Sequence, residues 1–197
     1  MTIINIAVAI CKNGGIGLKN GLPWSHLKDD MRLFSKRTTG AGFNAVLMGK
    51  NTWLSIPEIR RPLKNRTNII ISRNNNLSLK FNSCYIFSST HDALTHCEEC
   101  GKYDELWIIG GSGIYNEFLN THYDKVHRVY ITYVCGNYEC DTFINIPCES
   151  YLIEEKEYNL NENCYYLTCV HKMRLNDGKW NGIIRRFYKG VSNLGMR

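Results

Sequence analysis

Two adjacent carboxylates, Asp29 and Asp30, open a stretch whose apolar residues recur at helical spacing, residues 27–37. With Leu27 set at zero and about 100° per residue, Leu27, Asp30, Met31 and Phe34 fall within roughly 100° of one another. Lys28, Asp29, Arg32 and Lys36 fall on the opposite side. Asp29 is therefore the solvent residue, placed to pair with Arg32. Asp30 lies on the apolar stripe, where a carboxylate is costly unless paired or protonated. Two readings stand. Asp30 is a stripe-edge residue favoured by the positive end of the helix dipole, or it is aimed into a pocket with its pKa raised by burial, ready for proton chemistry.

A second constellation is suited to anions. Gly110-Gly111-Ser112-Gly113 follows an apolar run and opens a helical segment. Glycines there let the backbone approach a ligand, and the helix start offers N–H groups to negative charge. A tight turn is the plain alternative. The spacing is not a dinucleotide fingerprint: GxGxxG is absent, and no acidic residue stands about 20 residues on. Gly49-Lys50-Asn51-Thr52 repeats the form after Met48, and Ser72-Arg73 closes a third apolar run. Together these suit one extended ligand with several phosphates, such as a dinucleotide with an extra phosphate, for which Arg73 is a candidate.

The elements that must position these groups read as follows. Residues 3–10 are apolar but for Asn5, as in a strand buried on both faces. Residues 14–24 hold Gly14, Gly15, Gly17, Gly21 and Pro23 and read as a loop. Strands are expected over 44–48, 67–72, 84–87, 105–109 and 125–134, and helices over 27–37, 50–55, 90–100 and 112–119. Residues 152–158 and 164–173 read as antiparallel strands, with 182–189 a candidate for one more. The fold class is α/β: strand–helix alternation over the first 120 residues implies a mostly parallel sheet, and strands without helices at the end imply an antiparallel C-terminal end. In such sheets ligands bind beyond the carboxyl ends of the strands, where all the groups above fall.

Composition fits one globular domain: 197 residues, 44% hydrophobic and 21% charged. No apolar run reaches the ~18 residues of a membrane span, and the apolar start lacks the basic flank of a signal peptide. A cytoplasmic location is expected, with the nine cysteines as reduced thiols. Cys97-Glu-Glu-Cys100 has no second ligand pair for zinc; ordinary thiols on a helix are the plain reading, redox or metal chemistry the sharp one. The net charge of +6 suits a polyanionic ligand or a nucleic acid. The basic tail is either a solvated face or a contact for RNA or a partner.

The order and spacing of several motifs resemble dihydrofolate reductase over residues 3–145. They are Ile16-Gly17, Leu22-Pro23-Trp24, Asp30 with Phe34, Met48-Gly49-Lys50-Asn51-Thr52-Trp53, Ser55-Ile56-Pro57, Arg61-Pro62-Leu63, Arg66, Ser72-Arg73, Ile109-Gly110-Gly111, Tyr115, Thr132 and Asp141-Thr142-Phe143. The resemblance implies a single domain on a central, mostly parallel eight-stranded sheet with helices on both faces. It implies reduction of 7,8-dihydrofolate to 5,6,7,8-tetrahydrofolate by NADPH, in support of one-carbon metabolism and thymidylate synthesis, with antifolates as inhibitors and a monomer as the working unit. It implies that Asp30, assisted by Thr132, binds the pterin edge, and that hydride goes to C6. A water near Leu22 and Trp24 would protonate N5. Arg66 would pair with the α-carboxylate of the folate glutamate, for which Arg is better shaped than Lys. Ala7, Met31, Phe34, Ile56, Leu63, Ile109 and Tyr115 would line the substrate side, and Ile109 reads equally as core packing. Ala9, Ile16, Gly17, Gly49, Lys50, Asn51, Thr52, Ser72, Arg73, Gly110, Gly111, Ser112, Gly113 and Ile114 would hold the cofactor, under a mobile glycine-rich loop.

Some positions depart from the family pattern. Asn51 stands where many members place a second base for the cofactor's 2′-phosphate. Asn65 fills a turn position often held by Gly, which suits a left-handed conformation. Beyond residue 145 the pattern fades. The domain is drawn as 1–175, with 176–197 an extension or a final strand through residues 183–188. Three alternatives are a pyrimidine reductase of flavin synthesis on the same fold, a non-catalytic folate- or RNA-binding protein, and a metal or redox module on Cys97 and Cys100. Asp30, Trp24 and Arg66 together argue against the first.

Overall fold

A computed structural model describes residues 2–73 and 84–173. The elements run β1 Ile3–Cys11, β2 Gly15–Gly17, α1 Lys28–Thr39, β3 Ala45–Gly49, α2 Lys50–Ser55, β4 Thr67–Ile71, β5 Cys84–Phe87, α3 Thr90–Cys100, β6 Glu105–Ile108, α4 Ser112–Asn120, β7 Val126–Val134, β8 Thr142–Phe143, β9 Tyr151–Asn159 and β10 Cys164–His171. Eight strands form one sheet in the order β5-β4-β3-β6-β1-β7-β10-β9. The pairings from β5 to β7 are parallel, and β10 runs antiparallel to both β7 and β9.

The continuous apolar runs arise because both faces of the sheet are covered. Ala45, Leu47, Leu106, Ile108 and Ile69 enter one core with Leu94, Phe118 and Leu119 of α3 and α4. The alternate residues Val46, Met48, Trp107, Ile109 and Ile70 enter a second core with Trp53 of α2, against which Phe34 of α1 packs. Side chains alternate across a strand, so a strand covered on both faces is apolar at most positions; Asn5 of β1 and Asn68 of β4 are buried exceptions, the Asn68 amide bonded to the Leu63 backbone. α3 begins at Ser89, whose hydroxyl accepts the Asp92 N–H at 3.1 Å, and ends at Gly101 in the left-handed region.

The expected strands and helices appear within a residue or two at each end. The exception is the glycine-rich loop, which is not structureless. β2 lies within it and pairs antiparallel with β8. Asp141 accepts the Lys19 N–H at 2.7 Å, and Lys19 and Asn20 both take positive φ. Three-residue strands carry too little periodicity to be read alone. At the other end, β10 occupies the place expected of residues 164–173, between β7 and β9. The candidate strand at 182–189 and the basic tail from residue 174 onward lie outside the described residues. No helix among the described residues is long and apolar enough to cross a membrane.

Candidate active site

The carboxyl ends of β1, β3, β4 and β6 open on one cleft of about 1130 Å³. That volume exceeds what a single small ligand needs and suits a dinucleotide beside a second molecule. Of the residues singled out from sequence, all but Trp24, Arg66 and Gly110 line it.

Asp30 is the buried carboxylate of the cleft, 7% exposed, on the inward face of α1. Thr132 of β7 donates its hydroxyl to Asp30 Oδ1 at 2.6 Å. Burial pushes the carboxyl above its ordinary range; the Thr132 hydrogen bond and Arg37 oppose this, and Glu162 adds to it. Asp29 faces solvent and meets Arg32 at 3.4 Å. The angular reading thus separated the pair correctly. Tyr115 of α4 lies beside this group, with its hydroxyl donated to the Ala7 carbonyl at 2.7 Å.

Arg66 stands just outside the lining, with its guanidinium 5.9 Å from the centroid of the Phe34 ring. Its Nε donates to the Lys64 carbonyl at 3.1 Å and its Nη1 to Thr38. The preceding Asn65 takes φ 58°, the left-handed turn expected of it. Trp24 is buried with Cys11, Leu27 and Val134, edge-on to Tyr138 at 5.6 Å. Its Nε1 is buried without a protein acceptor among the described residues.

The other half of the cleft is a donor set. Lys50, Asn51 and Thr52 line it from α2, Ser72 and Arg73 from the end of β4, and Gly111, Ser112 and Gly113 from the start of α4. Gly110 takes φ 111°, and a Cβ there would stand 2.9 Å from the Tyr115 ring, so only glycine fits. Its carbonyl accepts the Gly49 N–H at 2.7 Å, which ties the two glycine segments together. A Cβ at Gly113 would meet nothing within 4 Å, so the backbone there stands open to a ligand.

Sequence reasoning missed Arg37, Arg60 and Tyr130, which also line the cleft. Arg37 lies seven residues after Asp30, almost the same helical angle, so the signal was present. Its guanidinium sits 4.5 Å from the Tyr130 ring centroid. Tyr130 precedes Thr132 by two on β7 and so shares its face. Cys97 is a core residue, its thiol pushed up to about 12 by burial; Cys100 Sγ donates to the Cys97 carbonyl at 3.5 Å.

Comparison with known proteins agrees with this geometry. The family model described as dihydrofolate reductase matches residues 3–174. A dihydrofolate reductase of Aedes albopictus is 35% identical over 150 residues, covering 73% of this chain and 79% of the relative. One from Mus musculus is 37% identical over 148 residues, covering 71% and 77%. A viral dihydrofolate reductase of Saimiriine herpesvirus 2 is 38% identical over 147 residues, covering 72% and 68%.

Proposed function

The chain belongs to the dihydrofolate reductase family, an NADPH-dependent enzyme that reduces dihydrofolate to tetrahydrofolate, and from that premise we propose how its own residues do so. Asp30 accepts hydrogen bonds from the amino group and ring nitrogen of the pterin edge. The observation that carries this reading is the buried carboxylate on the cleft wall, already held by the Thr132 hydroxyl at 2.6 Å. That bond fixes the carboxylate's rotation before substrate arrives. Burial strengthens each polar contact made there.

NADPH, when bound, supplies the hydride. The residues present fit it. Lys50, Thr52, Ser72, Arg73 and the helix start at Gly111–Gly113, open at Gly113, offer donors and positive charge to its phosphates, on the same cleft as Asp30. Asn51 supplies an amide where many family members have a base, so Arg73 carries the 2′-phosphate preference. Ala7 and Ala9 bring the small-residue edge of β1 to the boundary between the two halves. Ile16, Gly17 and Leu22 close one side and exclude water.

The proton takes another route. Asp30, holding the far edge of the ring, cannot reach N5, so a water beside Leu22 and Trp24 delivers it. What supports this is Trp24 Nε1, a buried donor that no protein group satisfies among the described residues and that a water would. Arg66, braced by Thr38 and standing over Phe34, takes the glutamate α-carboxylate. Replacement of Asp30 by Asn tests the scheme. Turnover should fall by several orders of magnitude while folate binding, followed by fluorescence quenching, is largely retained. A fully active Asp30→Asn enzyme would remove Asp30 from the chemistry.

The same reading extends to the whole chain. The cleft is complete within one chain, which supports a monomer; light scattering tests this. The nine cysteines support a reducing, cytoplasmic location. Residues 1–175 form the reductase domain and 176–197 an extension, supported by the family match ending at residue 174.

A further inference from the structure

The helix that carries Asp30 is capped from the far end of the chain. Leu27 occupies the N-cap position of α1 and makes no side-chain cap, although the first-turn N–H groups need acceptors. Glu162, in the turn between β9 and β10, provides them. Its carboxylate accepts the Asp29 N–H at 2.7 Å and the Asp30 N–H at 3.0 Å. The carboxylate is itself held in place. The Tyr166 hydroxyl donates to Glu162 Oε2 at 3.1 Å, and the Glu162 N–H donates to Asn159 Oδ1 at 3.1 Å. The Asn159 amide reaches Asp29 Oδ2 and the Tyr166 hydroxyl, each at 3.3 Å. One hairpin thus grips the turn from which Asp30 projects.

We propose that Glu162 is a positioning residue for dihydrofolate reduction, fixing the Asp30 carboxylate against Thr132 through the backbone of the first turn of α1. The inference rests on the reading of Asp30 as the pterin-binding carboxylate. A serine or aspartate at position 27 would cap the helix locally; a carboxylate from a different element also ties the helix to the sheet edge. It does something further that a hydroxyl would not, because it brings negative charge beside Asp30. The groups acting on Asp30 are Arg37 from its own helix, Tyr115 from α4, Thr132 from β7, Cys164 from β10 and Glu162 from the hairpin turn. Burial keeps Tyr115 and Cys164 protonated, Cys164 pushed up to about 11. Glu162 is therefore the member of this set that opposes ionisation of Asp30 by charge, while Arg37 favours it.

The test is steady-state kinetics across pH for Glu162→Ala and Glu162→Gln, with Asp30→Asn in parallel and active sites counted with a tight-binding antifolate. Glu162→Ala should lower kcat/KM for dihydrofolate about tenfold per active site, with KM for NADPH unchanged. Glu162→Gln keeps one of the two acceptor oxygens and sets an amide NH2 against the other N–H, so it should restore only part of that loss. Both variants should displace the pH profile of kcat/KM to lower pH, since both remove the charge. Wild-type kcat/KM and an unmoved profile in both variants would overturn the proposal. So would a loss in Glu162→Ala that merely follows the fraction of titratable sites, with the profile unmoved, because a structural cap alone would do that. Full activity in Asp30→Asn would instead overturn the Asp30 reading itself.

Discussion

Asp30 occupies a site where its ionised form is disfavoured, and this has a thermodynamic signature. Burial and Glu162 raise its pKa above the ordinary 3.8. The folded chain therefore holds the proton more tightly than the unfolded chain does. The resulting stabilisation is full below the unfolded value and is lost as pH rises through the folded one. Above the folded value the ionised side chain opposes folding. Asp30→Asn should accordingly raise Tm at neutral pH, with the gain closing as pH falls below about 4; calorimetry at both pH values measures this. A lower Tm at neutral pH would contradict it. At this scale the sequence was legible where one angle decided the matter, as for Asp30 against Asp29. It was not legible where a residue's surroundings come from distant chain. The burial of Trp24 depends on Tyr138 and Val134, and the anchoring of Arg66 depends on Thr38, 28 residues away.

Among the elements, the β2–β8 ribbon decides how the glycine-rich loop meets the cleft. Gly15 pairs with Phe143, and a Cβ at Gly15 would stand 2.2 Å from Cys140 Sγ and 2.7 Å from its Cβ. Gly15→Ala should therefore displace the ribbon, shift Ile16 and Gly17, and raise KM for NADPH several-fold. The double variant Gly15→Ala, Cys140→Gly removes both clashing atoms and should recover most of the loss. Equal KM values in all three proteins would show that the ribbon does not position the loop. The long strands were readable because cover on both faces makes most of their positions apolar. This ribbon was not, since its pairing partner lies about 125 residues along the chain. Nor was the cap on α1: a helix starting at Leu27 lacks any local capping signal, and the acceptor comes from a hairpin turn.

On the scale of the whole molecule, the net charge of +6 and the basic half of the cleft draw a polyanionic cofactor towards the site. Raising ionic strength from about 0.05 to about 0.5 M should lower kcat/KM for NADPH several-fold, by screening that attraction. The effect on NADH, which lacks the 2′-phosphate, should be weaker, and an equal effect on both would argue against steering. The sheet order brings the ends of β1, β3, β4 and β6 to one cleft, so Lys50, Thr52, Ser72, Arg73 and Asp30 line a single cavity. That convergence was legible, because parallel strands with helical crossovers must present their carboxyl ends together. The most direct measurement is the rate of loss of NADPH absorbance with dihydrofolate, repeated with NADH. Rapid loss with NADPH and much slower loss with NADH is the predicted result, with Arg73 sustaining the preference despite Asn51. No dihydrofolate-dependent loss from folded protein that still binds an antifolate, or equal rates with the two cofactors, would contradict it.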